Sequence, residues 1–322
     1  MEKIYVIHEN GVWVEPLRLA FAARDLAYGE WDLASGTIDL STAPPEGVFY
    51  NRMSASSYTR DHRYAPEFTA AVLSWLEAHG RRIVNSSRAL ALEVNKAAQY
   101  ATLQAHGIKV PHTIVAYGRQ QIIEAARQFQ TGPVILKPNR GGKGDLVQLF
   151  DTADALASHV NSDRYQPGVD EIALLQEYIH APDRSITRAE FIGGQFYYAV
   201  RVDTSDGFEL CPADACAVDT NTSNARPKFQ IFTGGGGIGA DLKTRLTAML
   251  AANSVEVAGI EFIRDAQGGV HVYDINTNTN YNSDAEQVAG LSGMGKLADF
   301  LGSELDRIYR HAGDKKSMRL VG

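Results

Sequence analysis

The sequence predicts a mixed α/β (α+β) protein, with a small parallel sheet at its N-terminus and a longer strand-rich region after it. Three observations predict this. Apolar strands at residues 4–8, 48–50 and 82–85 alternate with helical spacing at 16–26 and 66–79, which is the βαβ rhythm of a parallel sheet. After Gly107 the texture changes, and strands read at 134–137, 146–150, 172–179, 188–192, 195–202, 258–263 and 270–275. Several of these are joined by glycine-containing turns, and helical segments near 152–160 and 241–252 interrupt them. Boundary residues support the helices. The helix at 66–79 ends at Gly80, a residue suited to the left-handed cap. The next begins after Asn95, a good N-cap, and meets Gly107 as a C′ residue with Pro111 beyond it. No repeat or low-complexity tract is present, and residues 203–233 carry no readable pattern.

Composition narrows the class. At roughly 150 residues per domain, 322 residues suggest two domains, or one with a large insertion. Hydrophobic residues at 44% and charged residues at 21% exclude a disordered chain. The 31 Lys and Arg against 38 Asp and Glu leave a net charge of −7. That balance gives no general attraction to nucleic acid or to an anionic membrane. No apolar run approaches the roughly 18 residues of a membrane span. The N-terminal residues lack the basic region and long apolar stretch of a signal peptide, so a cytoplasmic location is expected. With only Cys211 and Cys216, neither a disulfide scaffold nor a cysteine zinc site is expected.

The strongest local signal is Val134-Ile-Leu-Lys-Pro-Asn-Arg-Gly-Gly-Lys-Gly-Asp145. A strand ends in Lys137, and a loop follows with Gly141, Gly142, Gly144 and two further cations, Arg140 and Lys143. Glycines let backbone N–H groups approach an anion, and the cations supply countercharge. Phosphate cradling is the natural reading, with a mobile hairpin tip as the plain alternative. It is not a Walker A loop, because Gly144 stands where Ser or Thr should and a strand follows. Lys96 adds weight. It sits in the first turn of the helix capped by Asn95, where the helix dipole disfavours a cation and a phosphate would compensate.

Near the C-terminus, residues 258–264 and 270–276 flank Asp265-Ala-Gln-Gly-Gly269, a hairpin turn. Strand alternation puts Asp274 and Asn276 on one face, with His271, Tyr273 and Ile275 on the other. Pairing across the turn brings Glu261 opposite Asp274 within one residue of register. Two carboxylates and an amide oxygen then converge, an all-oxygen set suited to Mg²⁺ on nucleotide phosphates. An exposed polar sheet face is the alternative.

Taken in order, these segments resemble the ATP-grasp superfamily, specifically the RimK-like and glutathione-synthetase-like carboxylate–amine ligases. The resemblance runs through Ile83-Val-Asn-Ser-Ser, Asn95-Lys96, Gly107-Ile-Lys-Val-Pro-His-Thr113 and the glycine loop. It continues through Leu174-Leu-Gln-Glu-Tyr-Ile179, Arg188-Ala-Glu-Phe-Ile-Gly-Gly194 with Arg201, Gly259-Ile-Glu261 and Asp274-Ile-Asn-Thr-Asn278, covering roughly residues 80–295. It implies an ATP-grasp fold with an N-terminal Rossmann-like parallel-sheet (pre-ATP-grasp) domain over 1–94 and two ATP-binding lobes. The central lobe, with the phosphate loop, would span 95–180, and the C-terminal lobe, with the metal site, 181–322.

The resemblance also implies roles. Lys96, Lys137 and the loop residues Gly141, Gly142, Lys143 and Gly144 would bind ATP phosphates. Gln176, Glu177, Tyr178 and Ile179 would meet adenine, chiefly through the backbone, and Asp183 the ribose. Arg188 and Arg201 would face the transferred phosphoryl group, and Glu261, Asp274 and Asn276 would hold Mg²⁺, two ions with Mn²⁺ as a substitute. Two departures stand out. The usual order of metal ligands is Asp, Glu, Asn, whereas here the two carboxylates are exchanged, and Ile186 replaces the acidic residue usually two before the first arginine.

The reaction implied is phosphorylation of a carboxylate by ATP to an acyl phosphate, then attack by an amine to give an amide. The partners are small-molecule carboxylate and amine substrates, amino acids or peptides, with neither nucleic acid nor membrane. Related folds are often dimers or tetramers, so a homo-oligomer is compatible. Three further contacts are expected. Asn51 and Arg52 stand at the end of a first-domain strand, Gly235 and Gly236 form a possible anion nest after Arg226 and Lys228, and Asn280 and Asn282 follow the metal residues. A small-molecule kinase using the same nucleotide site and a non-catalytic nucleotide-binding regulator are the competing functions.

Overall fold

The computed structural model describes residues 3–129, 132–142, 144–204 and 229–319, with side chains to residue 310 in the last helix. Three sheets organise them. The first is fully parallel, in the order β2-β1-β3-β4, built from β1 (Lys3–His8), β2 (Tyr28–Asp32), β3 (Gly47–Asn51) and β4 (Arg82–Val84). Helix α1 (Glu15–Ala22) follows β1, and α2 (Ala65–Ala78) lies between β3 and β4. Strand β1 reads Ile-Tyr-Val-Ile without a polar interruption because it is covered on both sides, as parallel strands are. Helices α3 (Ser87–Glu93) and α4 (Lys96–Ala105) then lead out of this sheet. The Asn95 side chain caps α4 by accepting from the Ala98 N–H.

The second sheet is antiparallel, in the order β5-β8-β6-β7. It contains β5 (Thr113–Tyr117), β6 (Val134–Pro138), β7 (Gln148–Phe150) and β8 (Ile172–Glu177), with α5 (Arg119–Ala126) and α6 (Ala153–Asn161) on one face. Its core draws only on residues between Ile114 and Ala173–Leu175. The third sheet is also antiparallel, in the order β11-β10-β9-β12-β13. Its strands are β9 (Ser185–Ile192), β10 (Gln195–Asp203), β11 (Phe229–Phe232), β12 (Val257–Arg264) and β13 (Val270–Asn276). Helix α7 (Ala240–Ala252) packs with Tyr100 and Leu103 of α4 on one face. After α8 (Ser283–Ala289), the long α9 (Gly293–Arg319) fills the other face, and its Leu297, Ala298 and Leu301 share a core with Val6 and Val48 of the first sheet and Phe21 of α1.

The first and third sheets are therefore one packed body, while the second has its own core. A buried asparagine reinforces that union. Asn85 adopts a left-handed φ of 59° and is fully buried. Its side chain donates to the carbonyls of Val257 (2.8 Å) and Thr277 (3.0 Å) and accepts from the N–H groups of Glu256 (2.9 Å) and Val257 (3.0 Å). All four of its hydrogen-bonding positions are filled by backbone of the third sheet, which makes the strained backbone affordable. No described helix is long and apolar enough to cross a membrane.

Candidate active site

Where the second and third sheets face each other, the sequence places five ionisable side chains in one buried cluster. Lys96 opens α4, and its ammonium donates to Asp274 Oδ1 on β13. The carboxylate thus supplies the compensation that a cation in a helix's first turn requires. Lys137, at the end of β6, is 6% exposed and donates to the Tyr100 hydroxyl on α4, with its ammonium 5.1 Å from that ring's centre. The Tyr100 hydroxyl also accepts from Gln176 Nε2 (2.9 Å) on β8 and donates to the carbonyl of Tyr273 (2.8 Å) on β13. One tyrosine therefore joins both sheets.

The hairpin of β12 and β13 sets Glu261 directly opposite Asp274 and Gly259 opposite Asn276, as the turn predicts. A bulge follows at Glu261–Phe262, so alternation breaks there. Tyr273, expected on the far face, instead hydrogen-bonds Glu261. Asn276 Nδ2 lies 3.4 Å from Glu261 Oε1 and 3.5 Å from Asp274 Oδ2, so the three side chains converge. His271 is turned away and bonds Asp265 Oδ2 at 2.8 Å.

Electrostatics divides the cluster. Burial raises the Glu261 carboxyl above its usual range and Asp274 beside it adds to this, while Arg188 opposes both. Asp274 is also desolvated, but Lys96 and Lys137 hold it below the usual range. For Lys96 the attraction of Asp274 outweighs burial and its pKa rises. Lys137 has no carboxylate partner among the described residues, and burial together with Lys96 pushes its ammonium down to about 7. A buried cation beside another cation is costly unless an anion arrives. The Glu261, Asp274 and Asn276 oxygens are of the kind a hard divalent cation takes. With two carboxylates and an amide, they fall short of a group of three acidic, histidine or cysteine ligands, of which the described residues hold none.

Arg188 stands on β9 opposite Glu261. It donates to Glu190 Oε1 (2.7 Å), Glu261 Oε1 (2.8 Å) and Thr279 Oγ1 (2.6 Å). Gly259 makes this possible, because a Cβ there would collide with the guanidinium lying across β12. Arg201 is separated from it. A regular hairpin closing at Gly193–Gly194 would pair Arg201 with Ile186 and put both arginines on one face. The bulge between Phe196 and Tyr198 shifts the register by one, so Arg201 pairs with Thr187 and Arg188 with Val200. Arg201 then lies on the other face, with Asp183 Oδ2 at 2.5 Å and Ser185 Oγ at 3.0 Å. Asp183 and Arg201, expected at ribose and phosphoryl group, are thus an ion pair with each other.

The glycine loop is docked on the first domain. Tyr58 donates to Asp145 (2.6 Å), and a Cβ at Gly142 would press on Ser56 at 3.1 Å. Arg140, read as phosphate countercharge, instead donates to Glu67 (2.6 Å) and to the Arg63 carbonyl (2.6 Å). Gly141 lies under Pro138 and near the Tyr58 hydroxyl, and Gly144 takes a left-handed φ of 72°. Lys143 lies outside the described residues, as do Cys211, Cys216, Arg226 and Lys228.

Along the strand end, the Glu177 and Tyr178 N–H groups donate to the carbonyls of His112 (2.9 Å) and Pro133 (3.2 Å), and Ile179 follows. The Asn51 amide is used inside the fold, donating to the Asn85 carbonyl (3.1 Å) and accepting from Met53 (3.0 Å). Arg52 and Asn280 meet, at 2.7 Å. Asn282 caps α8. Gly235 and Gly236 form a turn against Phe232 and Lys243, outside the lysine–carboxylate cluster. Sequence reasoning passed over Tyr100 and Glu93. Buried Glu93 accepts from the N–H groups of Ala55 (3.2 Å), Thr277 (2.7 Å) and Asn278 (3.3 Å), holding the segment after β13 against the first domain. A lone acid or tyrosine on a helix carries no signal of such a role.

The chain is similar to several known proteins. A RimK-like ATP-grasp domain model matches residues 93–209. The chain is 33% identical over 106 residues to an alpha-aminoadipate–LysW ligase, LysX, of Sulfurisphaera tokodaii, covering 33% of this chain and 37% of that protein. Its matches to three such ligases span between 37% and 54% of their lengths. A probable alpha-L-glutamate ligase of Thioalkalivibrio sulfidiphilus is 23% identical over 240 residues, 73% of this chain and 71% of the relative. Among solved structures, the ATP-grasp ligase PsnB in complex with minimal precursor, Mg and ADP superposes with a TM-score of 0.64. That pair shares 19% identity over 94% of this chain and 97% of PsnB.

Proposed function

We propose that the protein is an ATP-dependent carboxylate–amine ligase acting on amino-acid or peptide substrates, a reading supported by the match of residues 93–209 to a RimK-like ATP-grasp domain model and by the ATP-grasp fold. The observation that carries this reading is Lys137, a buried cation with no described carboxylate, set beside Lys96, Asp274 and Glu261. Such a site is incomplete without an anion, and a nucleotide polyphosphate supplies one.

In this reading a carboxylate oxygen of the first substrate attacks the γ-phosphorus of ATP, and the bond to ADP breaks. The amine of the second substrate then attacks the acyl carbon, phosphate leaves, and the amine loses a proton. Lys137 and Lys96 hold the phosphate oxygens against repulsion as negative charge gathers in transfer. The Tyr100 hydroxyl keeps the Lys137 ammonium in place between the sheets. Glu261, Asp274 and Asn276 would hold Mg²⁺, two ions with Mn²⁺ serving in their place. When bound, the metal screens the charge of the polyphosphate. The docked glycine loop, with Tyr58 on Asp145, excludes water that would hydrolyse an acyl phosphate.

Hydroxylamine in place of the natural amine tests the reaction. Over a panel of amino acids, the expected products are a hydroxamate and ADP in equal amounts. Stoichiometric AMP would reject the reading, because it reports attack at the α-phosphorus. A phosphorylated product stable to hydroxylamine would replace it with a kinase.

A further inference from the structure

Between the turn of helix at Gly11–Val14, α1 and the start of α9 lies an open groove of about 510 Å³. Its walls are apolar, with Val12, Trp13, Leu19 and Ala20 on one side and Tyr281 and Met294 on the other. Val12 is 79% exposed and Leu19 64% exposed. Exposed aliphatic residues singly mean little, but these two rim a cleft that has unused hydrogen-bonding capacity inside it. The Tyr281 hydroxyl is buried and bonds nothing among the described residues. Glu286 Oε1 accepts from the Tyr198 hydroxyl (2.8 Å) and the Gly293 N–H (2.6 Å), whereas its Oε2 accepts from no described donor. Arg52, 2% exposed, is paired with no described carboxylate. Its Nε donates to the Asn278 amide oxygen (3.2 Å) and its Nη2 to the Asn280 amide oxygen (2.7 Å) and the Thr279 carbonyl (3.4 Å), and the described partner of Nη1 is Met294 Sδ at 4.0 Å, a weak acceptor. Asn280, Glu286 and Met294 all line the groove. Tyr281 and Glu286 share the groove wall with Asn280 and Met294, and Arg52 stands behind that wall in contact with the last two.

A buried guanidinium without a counter-charge is costly, and its preferred partner is a carboxylate. A carboxylate oxygen left unpaired suits an ammonium. Resting on the ligase reading above, we infer that the groove binds a free amino acid with a large apolar side chain as one of the two substrates. Its α-carboxylate meets Arg52, its α-ammonium meets Glu286 Oε2, and its side chain lies against Val12, Trp13 and Leu19. Met294, unbranched and flexible, gives way to admit the carboxylate. Glu286 favours a free amino acid over a peptide C-terminus, which lacks the ammonium at that place.

Titration calorimetry on the full chain tests this. Leucine and phenylalanine should bind at least about 10-fold more tightly than serine or glutamate. Leucinamide, without the carboxylate, and Gly-Leu, without the adjacent ammonium, should each bind at least about 10-fold more weakly than leucine. Leu19→Glu should weaken leucine by about 10-fold and leave ATP affinity unchanged. Equal affinity for leucine and serine would overturn the inference, as would leucine binding untouched by both Leu19→Glu and Val12→Asp. Tighter binding of Gly-Leu than of leucine would overturn it in favour of a peptide end. The two readings fail separately. If polar amino acids elicit ADP and apolar ones never do, the ligase stands and the groove falls. If leucine binds as described and no amino acid elicits ADP, the groove stands and the ligase falls.

Discussion

The third sheet and the second both bury charge, but only the third balances it. On β9, β12 and β13, Arg188 is matched by Glu190 and Glu261, and Lys96 by Asp274. On β6, Lys137 is buried against a tyrosine hydroxyl with no described carboxylate. The third sheet therefore balances its charges before any ligand arrives, those of Glu261 and Asp274 included. The second holds a charge that the fold tolerates for something else, the expected mark of a functional site. The largest predicted effect breaks that balance. Arg188→Leu leaves Glu190 and Glu261 buried together and should cost about 3–5 kcal/mol in a urea titration. Glu190→Leu added to it should recover part of that loss. A change under about 1 kcal/mol would show that the arginine is not what balances the sheet.

Substitutions at the boundary of the two regions should separate folding from turnover. Asp274→Asn keeps the shape of β13 and removes the charge facing Lys96 and the phosphates. Buried Lys96 loses its counter-charge, so stability should fall by about 1–3 kcal/mol, while kcat falls by more than the roughly 100-fold typical of an outer ligand partner. Full activity at saturating Mg²⁺ would remove Asp274 from the site. Lys137→Met should do the opposite of Arg188→Leu. The Lys137 ammonium stands near 7 in the fold against an ordinary 10.5, so the unfolded chain binds more protons between those values. Its penalty on stability is complete below pH 7 and fades as pH rises through that window. Lys137→Met should therefore stabilise the protein most at or below pH 7 and lose that advantage towards pH 10, while ATP binds roughly 10- to 100-fold more weakly. In the parent, ATP affinity should decline as pH climbs above about 7, because the free site holds less ammonium. Calorimetry across pH that shows a flat ATP affinity would place the phosphate elsewhere.

How much of this was legible depended on whether a local rule governed the position. The β12–β13 register was readable because Asp265–Gly269 fixes the turn and alternation does the rest, so Glu261 met Asp274 as expected. The two β-bulges were not readable. Each inserts one residue without a sequence signature, and each moved a side chain to the other face, Tyr273 towards Glu261 and Arg201 away from Arg188. The edge strands β2 and β5 also escaped the reading. Tyr28-Gly-Glu-Trp-Asp32 is polar and half-exposed, and Val115 and Tyr117 of β5 face water, so neither shows a clean buried face. Partners distant in sequence were beyond local rules altogether. Lys96 was notable for breaking the helix-dipole rule, but nothing near it names Asp274, 178 positions away. Asn51 looked like a ligand contact because it ends a parallel strand, yet its amide closes the junction with Asn85.

The smallest predicted effect tests how firmly the second region is tied to the first. The glycine loop touches the first domain through the Tyr58–Asp145 hydrogen bond of 2.6 Å, through Gly142 against Ser56, and through Arg140 on Glu67. Tyr58→Phe removes one neutral donor to a partly exposed carboxylate and leaves the other two contacts standing. Its cost should be about 1 kcal/mol, or several-fold in the population of docked loop. If docking shields an acyl phosphate from water, the loss appears in coupling rather than in rate. ADP should form at close to the parental rate, while amide per ADP falls several-fold as water takes the intermediate. That ratio separates a shield from a binding element, since a loop needed only to hold ATP would raise the KM for ATP and leave amide per ADP at one. An unchanged ratio with an unchanged KM would mean that the loop carries its phosphate contacts without help from the first domain, and that the second sheet works as independently as its separate core allows.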